Sequence, residues 1–117
     1  RWGGAEETEH KRIYASKILK EYIEKNIDGN AKILIMGDFN DYPSNNSIKK
    51  VLLKTQNIKF SNLMSRLNCG SYKYKGEWGW LDQIIVSSNL TKNKNELHVT
   101  KYGAFVEDWM LYIPKIK

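Results

Sequence analysis

Apolar positions follow two different periods along the chain. Ala15, Ile18, Leu19, Tyr22 and Ile23 recur at the three- and four-residue spacing of a helix, with Lys11, Lys17, Lys20, Glu21 and Glu24 mostly outside that stripe. Thr8 stands where a cap would start the helix, and Asp28-Gly29-Asn30 ends it. Ile33-Leu34-Ile35-Met36 is a short unbroken apolar run between turn residues, the pattern of a strand covered on both faces and the most buried stretch expected in the chain. Asn45, Asn46 and Ser47 offer caps for a second helix whose inward face is Ile48, Val51 and Leu52, and a shorter helical turn is expected around Leu63 to Leu67.

After Asn68-Cys69-Gly70 the period changes to two. Tyr72 and Tyr74 alternate with Ser71, Lys73 and Lys75, Gly76-Glu77 makes a turn, and Trp78 to Ser87 reads as the partner strand of a β-hairpin. A last strand is expected within Leu97 to Val106, while Trp109 to Ile116 has no decisive pattern. Helices and strands alternate early and strands dominate late. That order predicts an α/β fold, a layered arrangement of mixed β-sheet with flanking helices.

Composition narrows the class. With 117 residues, 41% hydrophobic and 27% charged, the chain has the size and mixture of one domain with its own core. Its single cysteine, Cys69, excludes an internal disulfide and any multi-cysteine zinc module. No run of 18 apolar residues is present, so no membrane-spanning segment is expected. The sequence starts at Arg1 with no initiator methionine and no basic-then-apolar leader. A processed product or a fragment is therefore an open expectation, as is export of the parent protein.

Charge is uneven. Residues 1 to 41 hold 7 Lys or Arg against 8 Asp or Glu, whereas residues 42 to 117 hold 12 against 5. A basic later part suits a polyanionic partner such as nucleic acid or a phosphorylated small molecule; solvated lysines on an ordinary surface are the alternative.

Two places could carry chemistry. Gly37-Asp38-Phe39-Asn40-Asp41 follows the apolar run, at the strand end where open α/β sheets present ligand-binding side chains. There the Asp38 carboxylate could hold a water or a metal. Asn40, two residues on, would point the same way if the chain stayed extended and would offer an amide N–H to a phosphoryl oxygen. The competing reading is a turn built from Asp, Asn, Pro and Ser. The second place is Asp82. Alternation puts it on one strand face with Trp78, Trp80, Ile84 and Val86, where a carboxylate needs a cation, a metal or a histidine, or else a sheet edge. His10 and His98 are the available imidazoles, and both sit in contexts that suit surface or packing roles. Tyr72, Tyr74, Trp78 and Trp80, interleaved with Lys73 and Lys75, could stack bases while lysines hold phosphates, or could be ordinary cross-strand partners.

Taken together, Gly37-Asp38-Phe39-Asn40-Asp41 and Trp80-Leu81-Asp82-Gln83-Ile84-Ile85-Val86-Ser87 resemble, in order and separation, the two central motifs of the endonuclease/exonuclease/phosphatase family with its deoxyribonuclease-I-like fold. The opening Arg1-Trp2-Gly3-Gly4, with Glu9-His10-Lys11-Arg12, resembles the segment after the family's earlier His-Trp-Pro-Ser-Arg motif. Ser71-Tyr72-Lys73-Tyr74-Lys75-Gly76-Glu77-Trp78-Gly79 is similar to bacterial members in particular. The resemblance implies a Mg²⁺-dependent phosphoesterase, with Mn²⁺ as a substitute, acting on a phosphate ester such as nucleic acid. By position, Asp38 would orient or deprotonate the attacking water and contribute to the metal site, Asn40 would bond the phosphoryl group of the substrate, and Asp82 would orient a histidine.

This sequence departs from the family at several positions. The metal-binding Glu and an early Asn and His of the family precede the start of this sequence, and the terminal Ser-Asp-His motif is absent, since neither His98 nor Glu107-Asp108-Trp109 matches its context. Residues 1–117 are therefore expected to form a partial domain, about half of the four-layer fold, with the rest of the domain or a second copy as partner. The alternative function is a non-catalytic basic module that binds nucleic acid or protein.

Overall fold

The structure is a computed structural model that describes residues 3–112 and Lys115; Arg1 and Trp2 of the opening motif, and Ile113, Pro114 and Ile116 of the undecided C-terminal segment, lie outside the described residues, as does Lys117. Helix α1 spans Glu9–Asn26. Its inward stripe runs through Arg12, Ser16, Leu19 and Ile23, the i, i+4, i+7, i+11 row of one helix face. The expected stripe is therefore rotated: Leu19 and Ile23 face the core, whereas Ala15, Ile18 and Tyr22 face outward. The cause is a polar network, described below, that claims the N-terminal half of the buried face. Thr8 stands at the N-cap as expected, but its side chain makes no capping bond; its hydroxyl donates to the Gly4 carbonyl at 2.6 Å and accepts from Arg12 Nη1 at 2.5 Å.

Strand β1 is Leu34–Asp38, and after a π-helical turn at Ser47–Val51 and a 3-10 turn at Leu52–Lys54 come the short β2, Phe60–Asn62, and a 3-10 turn at Leu63–Arg66. Ile48 and Leu52 are fully buried, as the second helical pattern required, although the backbone is wound as π and 3-10 rather than α. The side chains of Asn45, Asn46 and Ser47 form other bonds instead of capping. Asn45 Oδ1 accepts from the Tyr42 N–H at 2.6 Å, Asn46 Nδ2 donates to Glu9 Oε1 at 2.7 Å, and Ser47 Oγ donates to Asp41 Oδ2 at 2.6 Å.

The stretch from Trp78 to Ser87 is two strands. Strands β3 (Tyr72–Tyr74) and β4 (Glu77–Gly79) form the expected hairpin, with positive φ at both Lys75 and Gly76, so the reversal sits one residue earlier than Gly76-Glu77. The chain then breaks at Trp80-Leu81 and continues as β5, Asp82–Ser87, which joins a different sheet. Trp78 and Trp80 therefore do not share a strand face with Asp82. The hairpin can close this tightly because a Cβ on Gly79 would come within 2.1 Å of the Tyr72 ring that lies across it.

The main sheet has the order β1-β5-β2, antiparallel throughout. On one face, Ile35 and Ile85 pack with Ile23, Ile48, Leu52, Ile58 and Phe60 beneath α1 and the π-turn. On the other, Val86 and Ile84 meet Leu63, Leu90 of the short α2 (Asn89–Lys92), Val99 and Tyr102. This α/β layering with flanking helices is the expected fold class and fits a partial deoxyribonuclease-I-like fold.

Two expectations fail here. β1 is an edge strand, and its second face is open, with Leu34 56% and Met36 68% exposed, so it is not covered on both sides. No strand forms within Leu97 to Val106; that segment runs without regular structure and is tied back by the Val99 N–H to the Leu90 carbonyl at 2.8 Å. The molecule is only 17 Å deep in its thinnest direction, about two layers of secondary structure.

The core predicts a clear contrast. Ile85→Ala, at a fully buried position, is expected to cost about 2–5 kcal/mol in urea unfolding, whereas Leu97→Ala, at an exposed one, is expected to stay within about 0.5 kcal/mol.

Candidate active site

The β1/β5 register sets Asp38 directly opposite Asp82. The next pair, Phe39 and Leu81, is hydrogen-bonded, the Phe39 N–H donating to the Leu81 carbonyl at 2.8 Å. Asp38 and Asp82 are thus a non-hydrogen-bonded pair, the closer kind, with Cα atoms about 4.5 Å apart and side chains on the same face. Both are exposed at the end of the sheet. Opposed like charges destabilise a strand pair. Two residues separated by 43 intervening positions therefore meet in an arrangement that folding alone does not favour.

Each carboxylate is fixed by the chain around it. Gly37, paired with Gln83 just before Asp38, has φ +146°, a backbone conformation that glycine adopts without strain. Asp38 Oδ1 accepts the Asn40 N–H at 2.8 Å, a local Asx turn that holds Asn40 at φ +51°. Asn40 is thus not on an extended continuation of β1, and the alternation argument for its direction does not apply. It is kept beside Asp38 by this turn, with its side chain exposed. On the other strand, the Asp82 N–H donates to Ser71 Oγ at 3.1 Å, which ties the site to the hairpin.

Behind the carboxylates lies a buried polar network that the sequence did not reveal. Asp41 is 2% exposed; its Oδ1 lies 2.9 Å from Arg12 Nε and its Oδ2 accepts from Ser47. Arg12 itself donates through Nη1 to Thr8 and through Nη2 to the Ala5 carbonyl, which aims its Nε–H away from a proper bond with Asp41. Gln83, 1% exposed, donates through Nε2 to the Asp41 carbonyl at 2.8 Å and to the Trp80 carbonyl at 2.6 Å, and accepts from Asn62 Nδ2 at 2.9 Å. One amide therefore fastens the loop after β1 to the chain entering β5. The available signal was a glutamine immediately before the run Ile84-Ile85-Val86, on the face opposite Asp82.

The histidines stay apart from this site. His10 is exposed in the first turn of α1, and His98 Nδ1 pairs with the Glu96 carbonyl at 2.7 Å. Among the described residues neither contacts Asp82, and no cluster of three or more His, Cys, Asp or Glu side chains is present. The donors in hand are two carboxylates and an amide, all oxygen ligands, which is the set a hard divalent cation takes alongside water and substrate phosphate. No described helix is long and apolar enough to cross a membrane.

No curated protein and no solved structure matches the chain significantly. The model of the Endonuclease/Exonuclease/phosphatase family matches residues 1–112, which include both motif loops and the whole of the sheet; the chain belongs to that family, whose general chemistry is the hydrolysis of phosphate esters.

Proposed function

We propose that this chain supplies the Asp38–Asn40–Asp82 part of a metal-dependent phosphoesterase site, in which water attacks a phosphate ester. The observation that carries the reading is the side-by-side placement of Asp38 and Asp82 at one strand end, a charge arrangement that a bound cation would relieve. Mg²⁺, or Mn²⁺ in its place, would be held by Asp38 with Asp82 close by, and when bound would polarise the phosphoryl oxygen and acidify water.

The roles follow from position. Asp38, anchored through Oδ1 to the Asn40 N–H, keeps its other oxygen to orient the attacking water and accept its proton. The Asn40 amide donates to a phosphoryl oxygen as negative charge builds there. Asp82, held through its backbone by Ser71, would orient an imidazole that comes from outside the described residues, together with any further carboxylate that completes the metal's shell. The open face beside the site, with Leu34 and Met36, leaves room for such an element.

Titration with Mn²⁺, followed by electron paramagnetic resonance, tests the reading alongside hydrolysis of bis(4-nitrophenyl) phosphate. Mn²⁺ is expected to bind, Mg²⁺ to displace it, and any turnover to vanish with a chelator. At ten times its dissociation constant the ion should also stabilise the fold by about 1.4 kcal/mol. Absence of Mn²⁺ binding, or turnover indifferent to the chelator, overturns the proposal.

A further inference from the structure

The basic excess is concentrated between the two carboxylate loops. Residues 42 to 79 hold seven Lys or Arg, namely Lys49, Lys50, Lys54, Lys59, Arg66, Lys73 and Lys75, against the single acid Glu77. All seven are exposed, and among the described residues none of them is in an ion pair. A stretch this one-sided repels itself and gains from a polyanion.

Two cavities open in the same region, with Tyr42 lining both. One, of about 420 Å³, is lined by Tyr42, Asn45, Tyr72 and Leu81, and Leu81 adjoins Asp82. The other, of about 400 Å³, has Tyr42, Lys49 and Trp80 in its wall, with the Tyr42 and Trp80 rings edge to face at 6.3 Å between centroids. Each is large enough for a small organic group. From the first cavity the hairpin leads outward: Tyr72 and Tyr74 share one face of β3, and Tyr74 is 66% exposed with Lys75 Nζ 5.4 Å from its ring centroid. The Tyr72 ring has a packing role over Gly79, but Tyr74 faces Glu77 across the hairpin and supports no core.

We propose that this surface, from Lys49 and Tyr42 across to Tyr74 and Lys75, binds single-stranded nucleic acid, which makes an unpaired polynucleotide the substrate class of the Asp38–Asp82 site. The inference rests on the phosphoesterase reading for what happens at the carboxylates, but not for binding. A flat exposed ring with a cation beside it takes a base on its face and the adjoining phosphate on its charge, and such stacking tolerates any base. In a duplex those base faces are already stacked on their neighbours, so Tyr74 has nothing to receive. A small phosphomonoester would fill one cavity and leave the hairpin unused. Lys73 provides an internal control: it projects from the other face of β3 and lies over Trp78, 5.3 Å from the ring centroid.

Fluorescence anisotropy of a labelled twelve-residue oligothymidylate with residues 1–117, in chelator and at low salt, tests the surface without any hydrolysis. Binding is expected to weaken steeply between 50 mM and 200 mM salt. Tyr74→Ala should weaken it roughly five- to 150-fold, the range for losing one stacked base, and Tyr74→Phe should keep it. Lys75→Ala should weaken binding and lower its salt dependence, while Lys73→Ala should change it less than about twofold. Equal competition by duplex and single strand, or oligothymidylate binding that both Tyr74→Ala and Lys75→Ala leave intact, overturns the inference. Tyr74-dependent binding by a protein with no metal site would retain this surface and reject the hydrolytic reading. Metal-dependent turnover of bis(4-nitrophenyl) phosphate without oligothymidylate binding would do the reverse.

Discussion

Asp38→Asn is expected to lower hydrolysis sharply and, in metal-free buffer, to raise thermal stability. The substitution keeps a side-chain oxygen for the Asn40 N–H, so the Asx turn survives. What it removes is one of two carboxylates facing each other across a non-hydrogen-bonded pair. Like charges so placed cost about 0.2–1 kcal/mol. Relief of that repulsion should raise the midpoint by a few degrees, given about 4–8 °C per kcal/mol for a domain near this size. Asp82→Asn should give a similar gain, and the double variant little beyond either, because the repulsion disappears with the first charge.

The same change should reduce turnover by about 10²–10⁴, the contribution of a positioned general base, and should weaken Mn²⁺ binding. Differential scanning fluorimetry with and without Mg²⁺, beside the phosphodiester assay, reads both effects. A lowered midpoint without metal in both single variants, or unchanged turnover in Asp38→Asn, would show that the pair is structural.

Asp41→Ala should cost far more stability than any surface ion pair. Asp41 is 2% exposed, and its removal leaves the mostly buried Arg12 guanidinium without its counter-ion and Ser47 Oγ without its acceptor. Breaking such a pair from one side costs about 3–5 kcal/mol, a large share of the 5–15 kcal/mol typical of a folded domain. With urea slopes of about 1–3 kcal/mol per molar, the midpoint should fall by roughly 1–5 M. Arg12→Ala should be comparable, because it strands the carboxylate. The exposed pair Lys32–Glu96, at 2.8 Å, is the control: Glu96→Ala should change stability by less than about 1 kcal/mol. Unfolding of Asp41→Ala within 0.5 kcal/mol of the parent chain would mean that the network is incidental. Because the Asp41 carbonyl also receives Gln83 Nε2, disruption of this loop should loosen the seam between β1 and β5 on which the two carboxylates depend.

Local chemistry made part of this protein readable from its sequence. The helix of α1, the paired helical turns around Ile48 and Leu63, the hairpin at Tyr72 and the α/β class follow from spacing and turn residues, which act over a few positions. Asp38 and Asp82 stood out singly for the same reason, one at the end of an apolar run and the other on an apolar strand. What lay out of reach depends on which elements become neighbours. Whether Leu34 and Met36 are covered is decided by the edge position of β1; apolar side chains alone could not say so. The break at Trp80-Leu81 is fixed by backbone and side-chain bonds from Phe39 and Gln83, residues remote from it or on the far side of the turn.

The sequence by itself therefore determined the class of fold and singled out Asp38 and Asp82 as candidates. Only tertiary structure decided that the two carboxylates are cross-strand partners, because register is a relation between strands set by the packing of partly buried Ile35 with buried Ile85 and by the Gln83 clamp behind them.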